Sequence, residues 1–386
     1  MIALGALLAS GCGRVALGSR DRWDWNASAS VFSADRPELR WRAQLAVPTD
    51  LDTRSRARST PVFDPVRGVV FVGGLDNGLH AIRASDGAVL WRFEMLGACE
   101  GSPVLAGDEL LVGSNDGAMY SIDADTGRLR WRFATTAEIV RPAEVTVDSV
   151  YFANADDSVY SLNRANGAQR WRFRREPPGG ITASGHAGII RLGSRIITGF
   201  SDGHVVALES ADGSVAWDRD TNSDTETAEG ASEAHRLIDV DTTPVLAGGS
   251  LFVASHVAGL YALDPESGGT RWRNDTLRDI AALATDGRDL FAASSSQGVL
   301  RIDPSDGTVV WARSVGARGF SDIAVIRGAL VVPTSDRALW LLRTRDGEPA
   351  LGFGDEGVSA LPSIVGDWMF VNSNRSVLTA WRFPRS

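Results

Sequence analysis

The side chains of this 386-residue chain best placed to do chemistry are two aspartates, Asp239 and Asp241, in the segment Arg236-Leu-Ile-Asp-Val-Asp-Thr-Thr-Pro-Val245. In an extended segment, alternate residues point to one side, so both carboxylates would share a face. There they could receive arginines of a partner, bind a cation or cap loop amides. Other reactive groups are scarce. The two cysteines, Cys12 and Cys99, are too few and too far apart for a disulfide scaffold or a zinc site. Cys99, among small residues and followed by Gly-Ser-Pro-Val, reads as a buried structural thiol with nothing nearby to lower its pKa. The histidines His80, His186, His204, His235 and His256 lack the short spacing of metal ligands. All 39 basic residues are arginine, which removes lysine Schiff-base chemistry. The net charge of −9 argues against a nucleic-acid partner. No catalytic residue, metal or cofactor is expected.

What must position the aspartates is a repeat. A short apolar run, a D-x-x-x-G or D-G turn and a tryptophan return at Trp91, Trp131, Trp171, Trp217, Trp272 and Trp311. A period near 40 residues with strand-like runs is the signature of a β-propeller, in which each repeat is one small sheet. The second repeat parses into four strands, SPVL from Ser102, ELLVGS from Glu109, AMYSID from Ala118 and LRWRF from Leu129, separated by tight-turn residues. The tryptophan falls on the outermost strand, where its ring would cover the seam to the next blade and its N–H find a partner. The seventh repeat carries Leu351 at that position, and the final stretch supplies three strands only. The segment ELRWRAQL around Trp41 has the form of the missing outer strand. The predicted fold is therefore all-β, an eight-bladed propeller of four-stranded blades in which residues 38–46 complete the last blade. A seven-bladed ring is the alternative if that segment packs elsewhere.

Residues 1–12 read as an address and residues 13–37 as a tether, leaving 38–386 for the propeller. The apolar run IALGALLA at residues 2–9 is too short to span a bilayer. It fits a secretory apolar region followed by small residues at a cleavage site. Leu-Ala-Ser-Gly-Cys12 resembles a bacterial lipobox, in which the cysteine is lipidated. No Arg or Lys precedes the run, which fits a start a few codons upstream. Two connections exceed what the repeat needs: the arginine-rich residues 47–59 and the acidic residues 218–239. Pro61, Pro103, Pro142, Pro244 and Pro362 stand at the start of their repeats, which puts them on innermost strands near the channel mouth.

With these motifs in place, the chain resembles the PQQ-like repeat family across about 340 residues. Within it, the lipobox, the eight units and RLIDVDTTPV after a long insert look like the BamB lipoproteins of the outer-membrane barrel-assembly machinery. The resemblance implies a lipid anchor at Cys12 on the periplasmic face of the outer membrane. It further implies partner binding through Asp239 and Asp241, with Arg236 at the head of the same segment. The partner it implies is the periplasmic repeat domains of the central barrel-assembly protein, and the clients are unfolded outer-membrane protein precursors. The family's other contact, a Leu-x-Leu-Arg segment before the fourth repeat, has no clear match, since residues 179–188 read GGITASGHAG. Quinoprotein dehydrogenases share the propeller but carry an adjacent cysteine pair, which Cys12 and Cys99 cannot form. A third reading is a generic envelope-binding propeller outside the assembly complex.

Overall fold

A computed structural model describes residues 23–25, 37–46, 56–176, 187–222, 239–255, 258–317, 319–335, 338–353 and 357–384. They form eight antiparallel sheets, seven of four strands and one of five, arranged as the blades of a propeller, with no α-helix among them. Each blade runs as a meander from an innermost strand A to an outermost strand D. In blade 2 these are Val104–Ala106, Glu109–Gly113, Ala118–Asp123 and Leu129–Ala134. The B and C strands are buried along almost their whole length, because neighbouring blades cover both of their faces. The core is accordingly divided into eight apolar layers, one per seam. The layer joining Trp41 and Phe370 of the last blade to Val70, Val72 and Ile82 of the first closes the ring.

Closure follows the expected route. Glu38–Gln44 pairs antiparallel with Val377–Arg382 and supplies the outer strand of blade 8. In every blade the D strand bulges at the residue just before the tryptophan position, skipping Leu90, Arg130 and Arg170 in the first three. A bulge adds local twist and re-aims the side chain that follows. Here it turns the indole toward the next blade. Seven indole N–H groups donate to carbonyls in the next blade's C–D turn, from Trp41 to Ala84 (2.8 Å) through Trp91 to Ala124 (3.1 Å) to Trp311 and Thr344 (3.1 Å). The turn glycine completes the seat. Gly127 has φ +69°, and a Cβ there would lie 2.7 Å from the Trp91 ring. The same relation links Gly167 to Trp131 and Gly213 to Trp171.

Leu351 occupies the tryptophan register, opposite Leu341, and the topology explains the exception. Blade 8 takes its C and D strands from opposite ends of the ring sequence, so it has no C–D turn on which an indole could sit. Leu351 instead packs with Trp381 and Phe383.

Within the stretch read as a tether, Trp23–Trp25 forms a strand on the outer edge of blade 7, pairing with Leu351–Phe353. Blade 7 therefore has five strands. Among the described residues, no helix is long and apolar enough to cross a membrane.

Candidate functional site

The meander sends its connections to two different ends of the ring. A–B and C–D turns lie at one end and are short, as with Gly107 and Asp108 between the first two strands of blade 2. B–C turns and the D-to-A connections between blades lie at the other end. All three of the longest connections are of the D-to-A kind: Gln44 to Val62, Arg174 to Ile190 and Asp220 to Val245. The last two flank blade 4. Loop length, and with it freedom to evolve contacts, is concentrated on one face of a rigid ring.

The aspartate segment lies on this face, where the Asp220–Val245 connection enters blade 5. Its register is held by blade 4: Val240 N–H donates to the Phe200 carbonyl at 3.1 Å. The hydroxyl of Thr243 accepts from Gly188 N–H at 3.2 Å. Gly188 belongs to the neighbouring long connection, and a Cβ there would lie 2.3 Å from the Thr243 hydroxyl, so glycine permits the close approach. Arg175 anchors the start of that connection, bridging Asp202 at 2.5 Å and Asp218 at 2.7 Å beneath Phe200. Burial alone would lower the Arg175 pKa, but the two carboxylates outweigh it and hold it above the usual range.

The two aspartates are not equivalent. Both border a small crevice of about 10 Å³ with Asp157 and Ser201. Asp239 is only 2% exposed, a residue of the ring wall. Asp241 is half-buried and also lines the mouth of the central channel. Cys12 and Arg236 lie outside the described residues, as do residues 47–55, 177–186 and 223–238. Cys99 is buried against Gly73, and burial pushes its thiol pKa well up, as expected for a structural cysteine.

The channel mouth contains residues that reading along the chain did not single out. A cavity of about 220 Å³ is lined by Arg58, Arg141, Asp241, Phe320 and Asp322 among others. Each belongs to a segment just ahead of an innermost strand, so the ring gathers them from distant blades. Burial raises the Asp322 pKa, opposed by the charge of Arg141 and by the Ile323 N–H at 2.9 Å. Burial raises Glu100 as well; Arg58 and Asn115 pull the other way, and Glu138 adds to the rise. Arg141 also reaches the Asp241 carbonyl at 3.5 Å, the outer limit of a hydrogen bond. The prolines that mark strand starts were the available signal, since Arg58, Arg141 and Asp241 all stand one to three residues before one. Among the described residues, no group of three or more His, Cys, Asp or Glu side chains could hold a metal ion. The site offers charged and polar surface on a rigid rim, a geometry for binding.

The fold and this rim define a class: an eight-bladed PQQ-like-repeat propeller, closed by the strand Glu38–Gln44, with its longest loops on one face. The chain belongs to the family described as outer membrane protein assembly factor BamB, whose model matches residues 26–120, 76–313 and 258–382. The BamB of Legionella pneumophila (strain Paris) is 30% identical over 193 residues, covering 47% of either chain. That of Escherichia coli (strain K12) is 27% identical over 172 residues, 42% of this chain and 43% of that one. The chain thus spans about half the length of the curated relatives it matches. Solved structures that share the fold include an assembly factor and an enzyme. BamB from Moraxella catarrhalis superposes with a TM-score of 0.70 at 20% identity, over 90% of this chain and all of that one. The quinohemoprotein alcohol dehydrogenase ADHIIG from Pseudomonas putida HK5 gives 0.63 at 14% identity, over 91% and 78%. Likeness at these identities speaks to architecture alone, which an assembly factor and an enzyme can share.

Proposed function

We propose that this chain is a non-catalytic scaffold subunit of the outer-membrane β-barrel assembly complex. It is held at the periplasmic face of the outer membrane by lipid on Cys12 and aids the assembly and insertion of outer-membrane proteins. The observation that carries this reading is the family match running from residue 26 to residue 382. The geometry supports it. A rigid ring presents its three longest connections on one face, and Asp241 stands on the rim where two of them meet. On that face the segment beginning at Arg236 receives the periplasmic repeat domains of the central barrel-assembly protein. Asp241 meets the partner, while Asp239 holds the segment's shape from inside the wall.

Affinity purification from detergent-solubilised membranes tests the reading. The wild-type chain is expected to bring the barrel-assembly complex with it, and Asp241→Ala to lose most of it while keeping the wild-type melting temperature. Asp239→Ala is expected to lose both partner and stability. Recovery of the wild-type chain alone would overturn the proposal. Cys12→Ser tests the anchor separately and should move the chain out of the membrane fraction.

A further inference from the structure

The outer edges of the eight blades differ in one respect. An outermost strand exposes a row of unpaired backbone groups, and natural sheets guard such edges with charge or cover them. Seven outer strands carry arginine: ELRWRAQ, VLWRFE, LRWRFA, QRWRFR, VAWDRD, TRWRN and VVWAR. The eighth, Pro349–Phe353 of blade 7, reads PALGF and has no charged residue. Pro349 guards its first position only. The unguarded remainder, Leu351–Phe353, is the stretch that Trp23–Trp25 covers, with Trp23 opposite Phe353, Asp24 opposite Gly352 and Trp25 opposite Leu351.

We propose that the outer edge of blade 7 is a strand-exchange site, occupied at rest by Trp23–Trp25 and taken over by an extended segment of an unfolded outer-membrane β-strand. The resident strand indicates which chemistry fits. The sequence Trp-Asp-Trp alternates aromatic and polar residues along the strand. Transmembrane β-strands have the same dyad alternation, with aromatic residues at the membrane boundaries. Strand addition takes its affinity from main-chain hydrogen bonds, which any extended client can make, and its selectivity from alternate side chains. A resident strand of three residues gives a short ladder, and longer client strands of about nine to eleven residues can make more of it. This inference rests on the assembly role proposed above and assigns the client's place on the ring.

The test uses the full chain and a fluorescein-labelled ten-residue peptide in which Tyr or Val alternates with Thr or Ser. A peptide of the same composition with its apolar residues in one block serves as control. Trp23→Cys with Phe353→Cys places cysteines at paired positions and locks the resident strand when oxidised. The alternating peptide is expected to lose binding to the locked form and regain it on reduction. Asp24→Pro, which removes a backbone N–H outside the ring, should raise apparent affinity about tenfold by emptying the edge. Equal binding by locked and reduced protein, or to both peptides, would overturn the proposal, as would binding by none of the forms. Co-purification with the assembly complex is read separately. Retained co-purification with no peptide effect refutes the strand-exchange site and leaves the assembly role standing.

Discussion

Gly127→Ala offers a direct test of how the seams hold. The residue sits in the C–D turn of blade 2 at φ +69°, and its added methyl would lie 2.7 Å from the Trp91 ring. Two costs are expected, and the structure provides a control that separates them. Gly107, in the A–B turn of the same blade, has φ +76° and nothing within 4 Å of a built Cβ. Gly107→Ala therefore incurs backbone strain alone, about 1–2 kcal/mol for a left-handed non-glycine residue. Gly127→Ala incurs the same strain plus overpacking of about 1–3 kcal/mol against the indole. That displacement also threatens the 3.1 Å bond from the Trp91 indole to the Ala124 carbonyl. Trp91→Leu removes the ring that the methyl would strike. In the double variant, Gly127→Ala should then fall back toward the Gly107→Ala value, a coupling of about 1–3 kcal/mol. The assay is urea unfolding followed by circular dichroism, with thermal midpoints as a second measure. Equal losses at the two glycines, or additivity with Trp91→Leu, would refute the claim that the turn glycines are seats for tryptophan.

Three further outcomes are expected. Leu351→Trp should destabilise by about 1–3 kcal/mol through overpacking, since blade 8 has no C–D turn to receive the indole; a rise in melting temperature would contradict the closure argument. Burial alone would raise the Asp76 pKa, but hydrogen bonds from His80 (3.0 Å) and Arg92 (2.8 Å) hold it at about 2. Its contribution is then full above the unfolded value of about 4 and lost as pH falls toward about 2, so Asp76→Asn should flatten the acid limb of a stability–pH curve over that window. Asp322 has the opposite sign, because burial favours its protonated form in the folded state. Arg141→Ala removes the opposing charge and should cost more stability at pH 8 than at pH 4, as measured by thermal unfolding at both.

The repeat was readable because one bulky residue marks each blade. The Trp period located the D strands, and ELRWRAQ announced itself as a displaced member of the set. Even Leu351 could be noticed from sequence, although its reason could not: the absent turn is a property of the closed ring. The site was less legible for the same reason. Asp239 and Asp241 alternate along an extended segment, but only the folded ring, which fixes the segment through the Val240 N–H to Phe200 carbonyl bond, shows that one belongs to the wall and the other to the rim. Arg141 and Asp322 are 181 positions apart in the chain and share no motif; the ring alone makes them neighbours across the channel mouth. Trp23–Trp25 is too short for a period to reveal it, and its pairing depends on an edge more than 300 residues away.

Ring closure also sets an order of events in time. Glu38–Gln44 leaves the ribosome long before its partner Val377–Arg382 exists. Until then the first blade lacks one neighbour, and the apolar layer built on Val70, Val72 and Ile82 is half made. The pairing Glu38–Arg382 spans almost the whole chain, so its loop-closure entropy is met last, when the seams formed earlier have already set the curvature. The nascent propeller is therefore an open arc with a sticky end at each side, and this arc is the stage at which a chaperone or a second copy could capture it.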